Sequence, residues 1–443
     1  MQIQLSDHFT YKKLIRFTLP SIGMMIFMSI YGVVDGLFVS NYVGKTAFAS
    51  VNLIMPFIQI LSGMGAMLGV GGSALVAKTL GEGDGKRASR YFTMMMYMLL
   101  IVALVFTVLG VVFIRPVSYL LGATDAMIDD CVLYGRTVLL FSIFMHLQYQ
   151  FQSYLVVAEK PTLGLIVTIA AGCTNMALDA LFVGAFRWGI AGAAIATGMS
   201  QFVGGVIPLV WFLSRKNHSA LHFAKTKMEW RPVLKACGNG ASEMLSSVSA
   251  SVTGMFYNRQ LMKYAGEDGV SAYGVVMYAS FIFIAVLVGY SSGSSPIVGY
   301  HFGAQHHGEM KNLLKKSLIL LITAGTVLTV SAFILAGPIA RIFVGYNPQL
   351  LELTIRAFRI CVVPFFIMGV GIYTSSFFTA LNDGLVSMEI SSLRALVFPL
   401  VSIIVLPMLF KLDGVWFSLV ASEFLTLIAS VVFLLAKKKK YGY

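Results

Sequence analysis

Two stretches of this chain repeat each other. Gly71-Gly-Ser73-Ala-Leu75-Val76-Ala77-Lys-Thr-Leu80-Gly81 returns as Gly293-Ser-Ser295-Pro-Ile297-Val298-Gly299-Tyr-His-Phe302-Gly303, 222 positions later. A second pair, Arg136 to Ala158 and Arg359 to Leu381, stands 223 apart. In the first pair each copy closes an apolar span and opens a polar loop, and both pairs run the same way relative to the membrane. The expected fold is therefore an all-α membrane protein with twelve transmembrane helices in two parallel six-helix lobes. Secondary transporters use this layout, with the substrate path between the lobes.

Composition agrees. Of the 443 residues 58% are hydrophobic and only 12% charged, against about a quarter charged in soluble domains. The opening stretch lacks the short apolar core and cleavage site of a signal peptide, so the first span, about Ile15 to Val39, is expected to stay in the bilayer. The net charge of +13 is a topology signal and not a nucleic-acid footprint. Lys437-Lys-Lys-Lys440 directly follows an apolar span, where a basic cluster anchors a helix end against anionic lipid. The four cysteines, Cys131, Cys173, Cys237 and Cys361, are scattered and lack metal-ligand spacing, so neither zinc nor disulfides are expected.

Most Lys and Arg residues fall on the side that holds both termini, whereas Asp125, Asp129 and Asp130 fall opposite. The positive-inside rule then puts both termini in the cytoplasm. The longest polar connector, about Ser214 to Lys235, separates an N-terminal lobe (1–213, helices 1–6) from a C-terminal lobe (236–443, helices 7–12). It reads as a cytoplasmic linker (214–235). The remaining loops leave no room for a soluble catalytic domain. HExxH and GxSxG are absent, so no catalytic residues and no cofactor are expected.

An acidic residue at the centre of a membrane helix costs about 2.5–3.5 kcal/mol, so each one needs a reason. Asp35 stands near the end of span one. Asp179 stands near the end of span five, four residues after Asn175 and on the same face. Thr197 follows on span six. Counting residues from the helix ends puts Asp35, Asp179 and Thr197 roughly 7–12 Å below one surface. An all-oxygen set suits Na⁺ or H⁺ and not a transition metal. The plainer alternative is an Asp35 at the membrane interface and an Asp179 held by Asn175. In the second lobe the intramembrane charges are Glu243, Arg394 and Glu423. A structural Glu243–Arg394 pair is expected there, with a substrate or second ionisable role for these two as the alternative. Arg136 and Arg359 are expected to snorkel or to cap loop carbonyls. Pro20 should kink span one, and Met94-Met-Met96 should face lipid.

The paired lobes, Leu19-Pro20, Asp35, the repeated Gly-x-Ser-x-Leu/Ile-Val-Ala/Gly motif and Asn175-x-x-x-Asp179 together resemble the multidrug and toxic compound extrusion (MATE) family of prokaryotic type. The likeness covers essentially the whole chain. It implies a V-shaped pair of lobes, alternating access, and export of organic cations driven by Na⁺ or H⁺. Asp35, Asn175, Asp179 and Thr197 fall on the family's N-lobe cation site, and Pro20 falls where helix one is proposed to bend. Span ten has no acidic residue, which departs from the branch that couples through the C-lobe.

The expected function is a cation-coupled antiporter in a prokaryotic inner membrane. It would act as a monomer on a lipophilic small molecule, with H⁺ or Na⁺ as coupling ion and no nucleic-acid partner. A flippase for a lipid-linked saccharide is the alternative, and it would want a strongly cationic cavity where only Arg394 is an evident base. A membrane-embedded enzyme is a distant third.

Overall fold

The computed structural model describes residues 3–214 and 217–443, and among these there is no strand. Arg215 and Lys216 of the polar connector lie outside the described residues. Local chemistry sets the helix starts. Thr10 Oγ1 accepts the Lys13 N–H at 3.4 Å ahead of α1 (Tyr11–Phe38). After α2 (Lys45–Gly81), Asp84 accepts the Arg87 N–H at 2.9 Å and opens α3 (Gly85–Leu120). Each such bond satisfies a donor that has no partner within the helix.

α4 (Ile128–Leu140) and α5 (Ser142–Val157) join at Phe141 into one crossing. α6 (Pro161–Leu178) runs into a π turn, and α7 (Gly189–Leu213) returns. α8 (Trp230–Gly303) crosses twice, broken by Gly266 at φ +61°. Beyond α9 (His307–Val344), α10 (Pro348–Cys361) and α11 (Phe365–Ala380) form one crossing bent by 51°. α12 (Gly384–Ser392), a π turn and α13 (Phe398–Tyr441) supply the last two crossings, separated at Lys411. The described residues thus make twelve spans, and spans four and ten are broken where an unbroken helix was expected. α1 passes through Pro20 as one continuous helix.

The duplication is visible in the backbone. Gly44 and Gly266, at φ +114° and +61°, stand 222 apart, as do Gly83 (+84°) and Gln305 (+56°). Glu159 (+58°) matches Asn382 (+57°), and Arg187 (+56°) matches Lys411 (+51°). A residue with a Cβ pays about 1–2 kcal/mol for this conformation, so the turn geometry has been kept where the glycine has not.

The two six-span lobes converge in a V at the end that carries both termini. There, glycines let backbones touch. A Cβ on Gly81 of α2 would overlap the Tyr300 carbonyl, and one on Gly303 would overlap the Lys78 carbonyl. Gly71 and Gly240 meet in the same way, each against the other's helix. Gly293 packs on Thr18 and Ser21 of α1. Close approach of this kind relies on small residues. The N-terminal segment lies across the seam. The Leu5 N–H donates to Glu159 at 2.7 Å, the Phe9 N–H to Glu309 at 2.9 Å, and Lys316 Nζ to the Phe9 carbonyl at 2.7 Å.

Met94, Met95 and Met96 are buried, not lipid-facing. They pack in a cluster with Phe92, Leu147, Phe151 and Tyr154, because this part of α3 is enclosed by α2, by α5 and by the polar connector, whose Ala224 N–H donates to Thr93 Oγ1 at 3.0 Å.

At the same end Asp383 joins several elements. It accepts from the Tyr441 hydroxyl, from Lys440 Nζ at 3.2 Å and from the Val386 N–H at 3.4 Å. Burial pushes its carboxyl up, but the Tyr441, Lys440 and Val386 bonds outweigh this and hold it below the ordinary value of 3.8. A depressed folded-state value means that the contribution is complete above the unfolded value and is lost as pH falls through the folded one. Asp383→Asn is expected to lower the thermal midpoint at pH 7 by the equivalent of about 1 kcal/mol. The difference from the unsubstituted protein should shrink on acidification below about pH 4. Scanning calorimetry across pH 3 to 7 checks this, and a constant difference would sink it.

Candidate cation site

Asp35 lies one turn before the π turn Val39–Val43 that ends α1. Asp179 stands where α6 widens into the π turn Asp179–Ala185, and its N–H bonds back to the Asn175 and Met176 carbonyls. Single π turns inside α-helices often mark functional sites, because they re-aim side chains out of the helical register. Gly172 brings α6 against Phe27 and Tyr31 of α1, Gly192 brings α7 against Phe182, and Gly198 receives the Phe141 ring. These approaches put Asp35, Asn175, Asp179 and Thr197 around one volume.

Asp35 is beside Asp179 and Asn175. Asn175 and Asp179 are buried, and Asp35 and Thr197 are half-buried. Asp35 Oδ1, Asn175 Oδ1, both Asp179 oxygens and Thr197 Oγ1 are buried without a hydrogen-bond partner among the described residues. Buried polar atoms are almost always satisfied, so five orphaned oxygens in one place point to a missing positive partner. The donor set consists of two carboxylates, an amide oxygen and a hydroxyl. That fits Na⁺, and it fits a proton held between the carboxylates. The chain's residues would hold the ion, which would supply charge neutralisation between α1, α6 and α7.

Sequence reasoning missed three tyrosines. Tyr134 stands beside Thr197, Asp35 and Asp179, and its hydroxyl is likewise unpartnered among the described residues. Tyr31, one turn before Asp35, lies near Asp35, Tyr149 and Gln148. The i, i+4 spacing of Tyr31 and Asp35 was a signal, whereas Tyr134 and Tyr149 come from spans too distant in sequence to be placed. Tyr134, Thr197 and Tyr149 also line a cavity of about 370 Å³ with Gln59, Ser62 and Gln201. Ser247 of α8, from the second half, lines it as well. The site and the cavity therefore share a wall.

A larger hollow of about 670 Å³ lies between α9, α10 and α13, around Arg359 and Phe333, away from these side chains. Arg359 stacks on Phe333 at 5.1 Å, while its repeat counterpart Arg136 caps the Val111 carbonyl at 3.2 Å. The expected Glu243–Arg394 pair is not made. Arg394 sits in the π turn Leu393–Val397 and reaches Glu423 instead, with Nε 3.3 Å from Oε1.

Comparisons with known proteins agree with this architecture. A model of the MatE family matches residues 20–181 and 244–405, once in each copy of the repeat. The chain is 21% identical over 436 residues to the multidrug export protein MepA of Staphylococcus saprophyticus, covering 97% of this chain and 94% of that one. It is 22% identical over 417 residues to MepA of Staphylococcus haemolyticus, covering 93% and 90%. Among solved structures, a MATE protein in complex with MaL6 superposes with a TM-score of 0.92 at 20% identity, covering 98% of this chain and 97% of that one. An outward-facing multidrug resistance MATE transporter superposes at 0.91 with 21% identity and the same coverage. The chain belongs to the MatE family and is a multi-pass membrane transporter, not an enzyme.

Proposed function

We propose that this protein is an antiporter that exports lipophilic, cationic small molecules in exchange for H⁺ or Na⁺. Asp35, Asn175, Asp179 and Thr197 bind the coupling ion. The observation that carries this reading is the group of five buried oxygens, contributed by three helices, that have no hydrogen-bond partner among the described residues. Filling the site offsets one of two adjacent negative charges and draws α1, α6 and α7 together. Because Thr197 and Gln201 of α7 also line the cavity, ion and substrate favour different facing states, and that differential affinity drives exchange. The naming of the relatives as multidrug export proteins supports the substrate class.

The lobes divide at the 214–235 linker, into 1–213 and 236–443. Both termini lie in the cytoplasm of a prokaryotic cell, in its inner membrane, and the protein acts as a monomer in the bilayer. On that orientation the glycine seam closes the cytoplasmic side, and the cavity opens outward. Pro20 is the hinge at which α1 would bend. A flippase would need an unpaired base in the cleft, and Arg394 is already engaged by Glu423. The test is reconstituted proteoliposomes loaded with a fluorescent lipophilic cation, with a pH or a Na⁺ gradient imposed separately. Efflux under one gradient names the coupling ion. No efflux under either removes the antiport reading.

A further inference from the structure

A hollow that export leaves unused lies at the end that carries both termini, where the polar connector runs along α3. It measures about 720 Å³. Lys86, Ser89 and Arg90 of α3 form one wall, and His222, Ala224 and Lys225 of the connector form the other. Among the described residues no carboxylate lines it. The acidic side chains nearest in sequence are turned elsewhere: Glu82 meets Lys78 at 3.6 Å, and Asp84 accepts the Arg87 N–H at 2.9 Å. Lys86, Arg90 and Lys225 are exposed and enter no ion pair among the described residues. Three like charges around one hollow repel each other, and an anion between them removes that cost.

The connector is pinned here, so the cluster does not depend on where long side chains happen to wander. Ser89 Oγ donates to the Ala220 carbonyl and accepts the His222 N–H, both at 3.3 Å. The Ala224 N–H donates to Thr93 Oγ1 at 3.0 Å, and the Phe223 ring packs 5.0 Å from Phe92. Lys225 follows directly on these fixed residues.

Depth decides what kind of anion fits. The Phe92 ring lies 4.9 Å from Phe212 of α7, so the two helices are level there. Leu213, next in sequence, is 63% exposed. Apolar outer surface therefore reaches to within about one turn of Arg90. Further along α3, Tyr97, Ile101, Leu104 and Val108 are all exposed. At 3.6 residues per turn these four fall within about 60° of Lys86 and Arg90 around the helix. The basic cluster and the apolar stripe thus share one face, and the connector crosses α3 between them at Thr93. Arg90 to Ile101 spans about 16 Å, close to half of a ~30 Å hydrocarbon core.

We propose that this hollow binds the phosphate of an anionic phospholipid, which ties the connector between the two lobes to α3. Lys86, Arg90 and Lys225 meet the phosphate, and the exposed stripe of α3 meets the acyl chains. On the orientation given above the lipid comes from the cytoplasmic leaflet, whose negative surface attracts basic side chains.

The test is lipid binding to the full chain in neutral detergent, read by native mass spectrometry and by the thermal midpoint. Dioleoylphosphatidylglycerol should bind and raise the midpoint, and dioleoylphosphatidylcholine should bind about tenfold more weakly or less. Arg90→Gln and Lys225→Gln should each weaken phosphatidylglycerol binding about fivefold, and the pair about 25-fold. Arg90→Lys, which keeps the charge, should restore most of it, and each variant is scored against its own lipid-free midpoint. Lys311→Gln with Lys315→Gln removes the same charge from α9 at the same end and should leave binding within about twofold. An equal loss in that control would reduce the effect to general surface charge and overturn the site, as would unchanged binding in the Arg90 and Lys225 pair. An equal midpoint rise from inorganic phosphate, lost in the same pair, would assign the hollow to a soluble anion and overturn the lipid.

Discussion

Asp35→Asn and Asp179→Asn are each expected to reduce gradient-driven export by about a hundredfold or more while leaving the fold intact. Each change keeps the shape of the side chain and removes the charge that a cation or proton must meet. A hundredfold loss corresponds to about 2.7 kcal/mol, the order expected when one member of a buried hydrogen-bonded charge pair is truncated. Stability should move the other way or not at all, because one of two adjacent carboxylates has been neutralised. Export rates in proteoliposomes, read together with thermal midpoints, separate the outcomes. Undiminished export in both variants would remove the site from the mechanism, and loss of export with a collapsed midpoint would mark a structural role.

Gly81→Val and Gly303→Val are expected to have an effect of similar size by a different route. The added atoms would meet the carbonyl oxygens of Tyr300 and Lys78, which belong to helix backbones and cannot rotate away. Overpacking of this kind costs about 1–3 kcal/mol. Here the strain is relieved if the seam opens, so the change biases the facing equilibrium by up to ~100-fold. Export should fall, and the cavity should become accessible from the end that holds the termini. A Ser247→Cys reporter checks this. In the glycine variants a membrane-impermeant maleimide should label it from the terminal side, where the parent resists. Labelling from the opposite side only, with export retained, would refute the role given to the seam.

The sequence made most of this legible, for physical reasons that can be named. Charged residues in lipid are so costly that Asp35, Asp179, Glu243 and Arg394 stood out individually, and a repeat of more than 200 residues fixes a topology. The partners were harder to place. Helical spacing tied Asn175 to Asp179 but could not bring Tyr134 or Tyr149 to the same wall, because that depends on where glycines such as Gly172 and Gly192 let helices approach. Depth alone pairs Arg394 with Glu243. The direction of Arg394 is set by the π turn Leu393–Val397, which has no periodic signature. A bilayer and a protein core are equally apolar, so Met94 to Met96 read as lipid-facing, and only the enclosure of α3 by α2, α5 and the connector tells the two apart.

The seam at the terminal end carries a further consequence. Gly81 meets Tyr300 as Gly303 meets Lys78, and Tyr300 is the repeat counterpart of Lys78. Contacts that exchange in this way are the signature of an isologous interface, the kind that relates two identical subunits about a twofold axis. Each half therefore presents both members of the contact, as a half-length chain would when pairing with a second copy of itself. Fusion into one polypeptide freed the two copies to diverge, and the divergence is unequal. The seam kept Gly81 and Gly303, while the oxygen cluster stayed with one half and the Arg394–Glu423 pair with the other.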